Sequence, residues 1–194
     1  MRVYIDFKSP AAYLAIAPTL RLAAEHHLVL EWRAFNATVA ALPEKVPDET
    51  KGQTHRRVRA AAQQRMHLLY AGIQGLPMHF RAQPGSTALA LWVLEQLPAS
   101  RRTPYVEACF TAYWLHQQDL NDPQVVAALL QACGEDAQLA HTALPDSALI
   151  ELNEQAQLTD GVVDVPAYVA GTELFIGREH LPWLAELCQA GGVH

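Results

Sequence analysis

The chain has 194 residues, of which 51% are hydrophobic and 18% charged, with 10 Gly and 12 Pro; this excludes disorder, collagen-like repeats and low-complexity scaffolds and provides for one substantial core. The formal charge is -6, so a nucleic-acid role would need a local basic patch, and only Arg56, Arg57, Arg59 and Arg65 cluster in that way. Cys109, Cys133 and Cys188 form no C-x-x-C pair and no metal-ligand spacing, the start has no apolar leader, and no apolar run approaches about 18 residues, so the expectation is a soluble, cytoplasmic protein without metal, nucleic-acid or membrane partners.

Arg2 to Phe7 alternates with period two, Val3, Ile5 and Phe7 against Tyr4 and Asp6, and predicts a strand. Ser9-Pro10 then opens a helix to about His27, with Ser as N-cap and Pro at the first helical position, where its missing N–H costs nothing. Pro18 lies inside that helix and cannot bond back to Leu14, which predicts a kink or break. Leu28 to Phe35 reads as a second strand, parallel to the first because a helix connects them. From Asn36 to Gly52 periodicity is lost around Pro43 and Pro47, and a loop of that length is commonly mobile or part of a site.

Helical periodicity follows over about Thr54–Ala71, Ser86–Leu97, Pro104–Gln117, Pro123–Cys133 and Ser147–Leu158, separated by breakers such as Gly75-Leu76-Pro77, Pro84-Gly85 and Pro145-Asp146. Trp92, Tyr105, Phe110, Tyr113 and Trp114 fall at helical spacing and read as core of this region, and the arginine run reads as a solvated helix face. His26 and His27 point apart on a helix and do not form a chelating pair. The strand period returns at Val165–Ala170 and Glu173–Ile176 around a Gly171-Thr172 turn, and a last amphipathic helix runs from about Arg178 to Gln189 with Leu181, Leu184, Leu187 and Cys188 inward. The layout is α/β, β-α-β, then a large all-helical insertion, then β-β-α.

Two local sequences carry a resemblance. Tyr4-Ile5-Asp6-Phe7-Lys8-Ser9-Pro10-Ala11-Ala12-Tyr13-Leu14-Ala15 resembles the F-D-F-x-S-P-x-S-Y-L-A opening of the 2-hydroxychromene-2-carboxylate isomerases, which group with kappa-class glutathione transferases and DsbA-like oxidoreductases. Gly161 to Val169 followed by Glu173 to Leu181 is similar to the same family's G-V-x-G-V-P-T-F-V…E-L-F-x-G-Q-D-R-L. The resemblance implies a thioredoxin-like domain formed by residues 1–35 and 160–194, a helical insertion over 36–159 that carries substrate choice, and a homodimer. It also implies a cis Val165–Pro166 bond packed against the first helix, with the Val165 N–H and C=O open to an extended ligand.

In redox members of the group a C-x-x-C stands where this chain has Ser9-Pro10-Ala11-Ala12. Without sulfur these residues cannot exchange disulfides, which requires a protein thiolate. Read locally, Ser9 is an ordinary N-cap; read with the second motif, it serves a thiol brought by the ligand, and the resemblance implies that this ligand is glutathione. The family holds the glutamyl end of glutathione with Asp-Arg near the last helix, and the matching residues here are Glu179 and His180, with Arg178 adjacent. A titratable imidazole in place of a guanidinium implies weaker, pH-dependent carboxylate binding. Ala12 replaces a second Ser, and Met66 and Leu69 stand at nominal Asp and Arg positions of the insertion. The expectation is a glutathione-dependent cis–trans isomerase acting on a small aromatic or conjugated acid. The alternatives are a kappa-type transferase acting on electrophiles and a redox-inactive thioredoxin-fold binding module.

Overall fold

The alternation at the start of the chain forms β1 (Arg2–Ile5) of the computed structural model, which describes residues 1–190. It lies inside a four-stranded sheet of order β2-β1-β3-β4, with β2 at Glu31–Ala34, β3 at Ala167–Ala170 and β4 at Glu173–Ile176. β2 is parallel to β1, whereas β3 is antiparallel to β1 and β4 to β3. The β-α-β and β-β-α halves therefore meet at the β1–β3 pair, although some 160 residues separate them, and the topology is that of a thioredoxin-like fold.

The two-residue period decides what each face touches. Val3, Ile5, Trp32, Ala34 and Tyr168 point to one face, into a core that continues without interruption through Leu14, Leu91, Leu94, Tyr105, Phe110 and Leu130. Tyr4, Phe35, Ala167 and Val169 point to the other face and pack with Ala156 and Val162. The first face is covered by α1 (Pro10–Glu25) and by helices α3 (Ala88–Gln96), α4 (Arg102–Trp114) and α5 (Pro123–Ala132). The second is covered by α6 (Ala148–Asp160), and α7 (Leu181–Gln189) packs against α1 with Leu184 buried. No helix among the described residues is long and apolar enough to cross a membrane.

Several helix expectations change: α4 ends at Trp114 rather than Gln117, and α7 begins at Leu181 after a 3-10 turn at Arg178–His180 rather than at Arg178. α2 runs over Lys51–Gln74, three residues longer at each end than its periodicity indicated, because Thr50 and Gln53 form a reciprocal capping box before the apolar period begins. α1 is continuous through Pro18, where a kink or break was expected. The carbonyl that Pro18 leaves without a partner, that of Leu14, accepts a bond from the Gln74 Nε2 amide at 3.3 Å. A side chain 60 residues away thus supplies the missing donor.

The end of α6 is tied to the sheet by Asp160, which accepts from Arg2 Nε at 2.9 Å, Arg2 Nη2 at 2.7 Å and the Tyr4 hydroxyl at 2.6 Å. Burial pushes the Asp160 carboxyl upward, but the Tyr4 and Arg2 hydrogen bonds outweigh it and hold the carboxyl below its ordinary value. A depressed folded pKa gives stability that is complete above the unfolded value and is lost as the pH falls through the folded one. Asp160→Asn is therefore expected to destabilise the protein by roughly 1–3 kcal/mol at neutral pH, with the gap to wild type closing in acid when melting temperatures are followed against pH. A gap that does not change with pH would contradict this.

Candidate active site around Ser9

Ser9 is the N-cap of α1: its Oγ accepts from the Ala12 N–H at 3.2 Å, and Pro10 occupies the first helical position. The turn before it is anchored by Asp6, which is fully buried and accepts from the Lys8 N–H, Lys8 Nζ, the Ala37 N–H and the Thr87 hydroxyl at 3.1, 2.6, 2.8 and 2.6 Å. Lys8 Nζ also donates to Asn36 Oδ1 at 2.7 Å. One carboxylate thus fixes the strand end, the residue before Ser9 and the start of the long loop after β2.

The Val165–Pro166 peptide bond is cis, and it lies against the helix N-terminus. The Ser9 hydroxyl donates to the Val165 carbonyl across a long 3.5 Å. The Val165 N–H was expected to be open to a ligand, but it donates to Asp164 Oδ1 at 2.8 Å, so an extended ligand would have to displace that carboxylate. Pro166 O accepts from the Gly177 N–H at 2.8 Å, which places the turn at Arg178–His180 beside the cis bond. Gly177 has φ of 104°, a conformation that favours glycine, and the Glu179 carboxylate folds back into the space a β-carbon would otherwise fill there.

Lys8, Ser9, Ala11 and Val165 open into a cavity of about 470 Å³. Its other walls come from the segment Thr38–Pro43, from Arg56 and His67 on α2, from Phe80 and Arg81, and from Tyr113 and Trp114 on α4. The aperiodic loop is therefore cavity wall. Tyr113 and Trp114, read as core from their spacing, are buried and also face this space, because α4 ends beside Ser9 with Trp114 Nε1 bonded to Phe7 O at 2.9 Å. The arginine run divides: Arg56 faces the cavity, Arg57 pairs with Glu49 at 2.7 Å, and Arg59 and Arg65 are exposed. His67 stacks on Phe80 with ring centroids 6.3 Å apart, and burial together with the Arg178 charge lowers its pKa, so the imidazole is neutral at pH 7.

Ser9 and Val165 are brought together, with Pro166 completing the cis bond. Arg178, Glu179 and His180 are not part of the cavity wall. The Arg178 guanidinium stacks 3.9 Å from the centroid of the Tyr70 ring on α2, and His180 sits against Phe175 with ring centroids 6.0 Å apart. Burial pushes the thiols of Cys109, Cys133 and Cys188 above their ordinary pKa, so none is a ready thiolate at pH 7.

A sheet of this order, a cis-Pro turn facing the first helix and a helical insertion define a DsbA-like thioredoxin domain. The chain belongs to that family, whose model, described as DSBA-like thioredoxin domain, matches residues 1–189. Among solved structures it is similar to a 2-hydroxychromene-2-carboxylate isomerase, with 20% identity, TM-score 0.74, and 98% of this chain and 96% of that chain covered. It is also similar to a probable DsbA oxidoreductase from Streptomyces coelicolor, with 20% identity, TM-score 0.69, and 97% and 89% covered. A structure assigned as a protein disulfide isomerase from Nitrosomonas europaea has 13% identity, TM-score 0.65, and 98% of each chain covered. No curated protein matches the chain in sequence. At these identities the likenesses establish the fold.

Proposed function

We propose that the protein is a glutathione-dependent cis–trans isomerase of the 2-hydroxychromene-2-carboxylate isomerase type, acting on a small conjugated acid. The observation that carries this reading is the position of Ser9: its hydroxyl sits at a helix N-terminus, opposite the cis Val165–Pro166 bond, at the edge of a 470 Å³ cavity. Glutathione, when bound, would supply a thiol that adds reversibly to a conjugated carbon, so that the former double bond can rotate before the thiol leaves.

The residues present fit the thiol end of such a ligand. The Ser9 Oγ–H spends itself only on a 3.5 Å bond to Val165 O and can turn to a sulfur at little cost. Pro10 has no N–H, the Ala12 N–H is taken by Ser9, and the Ala11 N–H, next to the cavity, is an orphan of the first helical turn. Ser9, the Ala11 N–H and the positive end of the α1 dipole together favour a sulfur anion over a thiol, by about one pH unit in pKa on the scale of a partly buried dipole site. The cysteines of the chain, buried Cys109 and half-buried Cys133 and Cys188, have raised thiol pKa values and lie outside the cavity wall, so they do not compete for that role. At the other end Glu179 is an acceptor for an ammonium, and Arg178 would reach a carboxylate by leaving the Tyr70 ring.

A redox-inactive binding module is the second reading. It is favoured by the ordinary N-cap geometry of Ser9, whose Oγ accepts from the Ala12 N–H, and by the placement of Arg178, Glu179 and His180 outside the cavity. Calorimetry with glutathione separates the two. The isomerase reading expects binding by wild type in the millimolar range or tighter, together with glutathione-dependent turnover of conjugated electrophiles, in which stable adducts would mark a transferase and recovered thiol an isomerase. Absence of binding at millimolar glutathione would leave the binding module as the better account.

A further inference from the structure

The cavity beside Ser9 carries positive charge that the protein does not neutralise. Lys8 is paired with Asp6, and the one acid in the wall, Asp164, accepts from the Val165 N–H. Arg56 and Arg81 take part in no ion pair among the described residues. The histidine in the same wall, His67, is held neutral and adds no charge that would compete for an anion.

Arg81 is the better fixed of the two arginines. Its guanidinium carbon lies 4.4 Å from the centroid of the Tyr113 ring, and Nη2 donates to the Gln118 carbonyl. A guanidinium has five N–H donors, and this is the single protein acceptor that Arg81 uses among the described residues. Nε is enclosed without any partner, and Nη1 donates to no protein group. A half-buried cation held over an aromatic ring, with most of its donors unspent, is an incomplete site, since enclosed polar groups are ordinarily satisfied. Next to it Phe80 and Trp114 stand edge to face, with centroids 5.4 Å apart and planes at 79°, and give the cavity an apolar aromatic corner, each ring offering a face or an edge to a ligand. A cation beside such a corner matches a planar ligand with an acid group at one end, the ring on the aromatics and the carboxylate on the fork.

We propose that Arg81 is the carboxylate receptor of this cavity and that it selects planar conjugated acids over their neutral analogues, with Arg56 adding to the field from α2. The use of that orientation in isomerisation rests on the reading of Ser9 above. The anion site itself stands on Arg81 and needs no glutathione.

Titration of the protein with cinnamate and with cinnamamide, which differ in one charge, tests this. Wild type is expected to bind cinnamate at least roughly tenfold more tightly, the scale of one hydrogen-bonded charge. Arg81→Gln is expected to lose that preference through weaker cinnamate binding, with cinnamamide binding retained. Arg81→Lys keeps the charge without the fork and is expected to lie between them, so it still reports on the site if the Gln variant fails to fold. Equal binding of the two probes by wild type, binding of neither, or an unchanged preference in Arg81→Gln would overturn the assignment. A cinnamate preference that depends on Arg81, in a protein that binds no glutathione, would overturn the isomerase reading and leave the anion receptor in place.

Discussion

Asp6→Ala is expected to cost about 3–5 kcal/mol of stability, the range for removing one partner of a buried ion pair. The variant leaves the Lys8 ammonium, whose side chain is 11% exposed, without its counter-charge and with only Asn36 Oδ1 as acceptor, and strands the Ala37 N–H and the Thr87 hydroxyl, all of which now meet at a carboxylate that is 0% exposed. Asp6→Asn keeps the shape and one acceptor oxygen and should lose less. Urea unfolding checks this as a fall in midpoint at constant slope; a cost under about 1 kcal/mol would show that water can replace the carboxylate. Because the same carboxylate fixes Lys8 and the beginning of the loop that walls the cavity, Asp6→Asn should also weaken ligand binding. The fold and the site share this residue.

Ser9→Ala is expected to lower glutathione-dependent kcat/KM roughly ten- to hundredfold, the scale of one hydrogen bond to a charged group. The loss should exceed anything explained by stability, since the cap to Ala12 contributes typically about 1 kcal/mol and leaves the core untouched. Ser9→Thr keeps both the cap and the hydroxyl and should retain most activity if its methyl fits. Kinetics with a conjugated enone checks the pair of variants, and equal rates for wild type and Ser9→Ala would remove Ser9 from the chemistry.

The parts of this molecule that could be read from its sequence are those whose causes are local. Ser9-Pro10 and Asp122-Pro123 carry their helix starts in adjacent residues, and both cap as their chemistry requires. The strand alternation at Val3 and Ile5 likewise appears as one buried face. Pro18 shows the limit of local reasoning: the residue that keeps α1 intact, Gln74, lies 60 positions away and belongs to no period that Pro18 could reveal. Arg81 and His67 were invisible for the same reason, since one sits in an irregular turn and the other in a helix whose polar positions look alike. Tyr113 and Trp114 have the spacing of core residues and are core; only the packing of α4 against Ser9 shows that they are cavity wall as well. The motif around Arg178 to His180 placed those residues beside the cis-Pro turn, but could not foresee that Arg178 would rest on Tyr70.

The claim that Ser9 serves a thiol brought by the ligand is tested most directly by following the ultraviolet thiolate absorbance of bound glutathione against pH, in wild type and in Ser9→Ala. The account predicts that the bound thiol of wild type ionises about one pH unit below free glutathione and that Ser9→Ala moves it back toward the free value. A bound thiol that ionises where free glutathione does, or a titration that Ser9→Ala leaves unchanged, would contradict it.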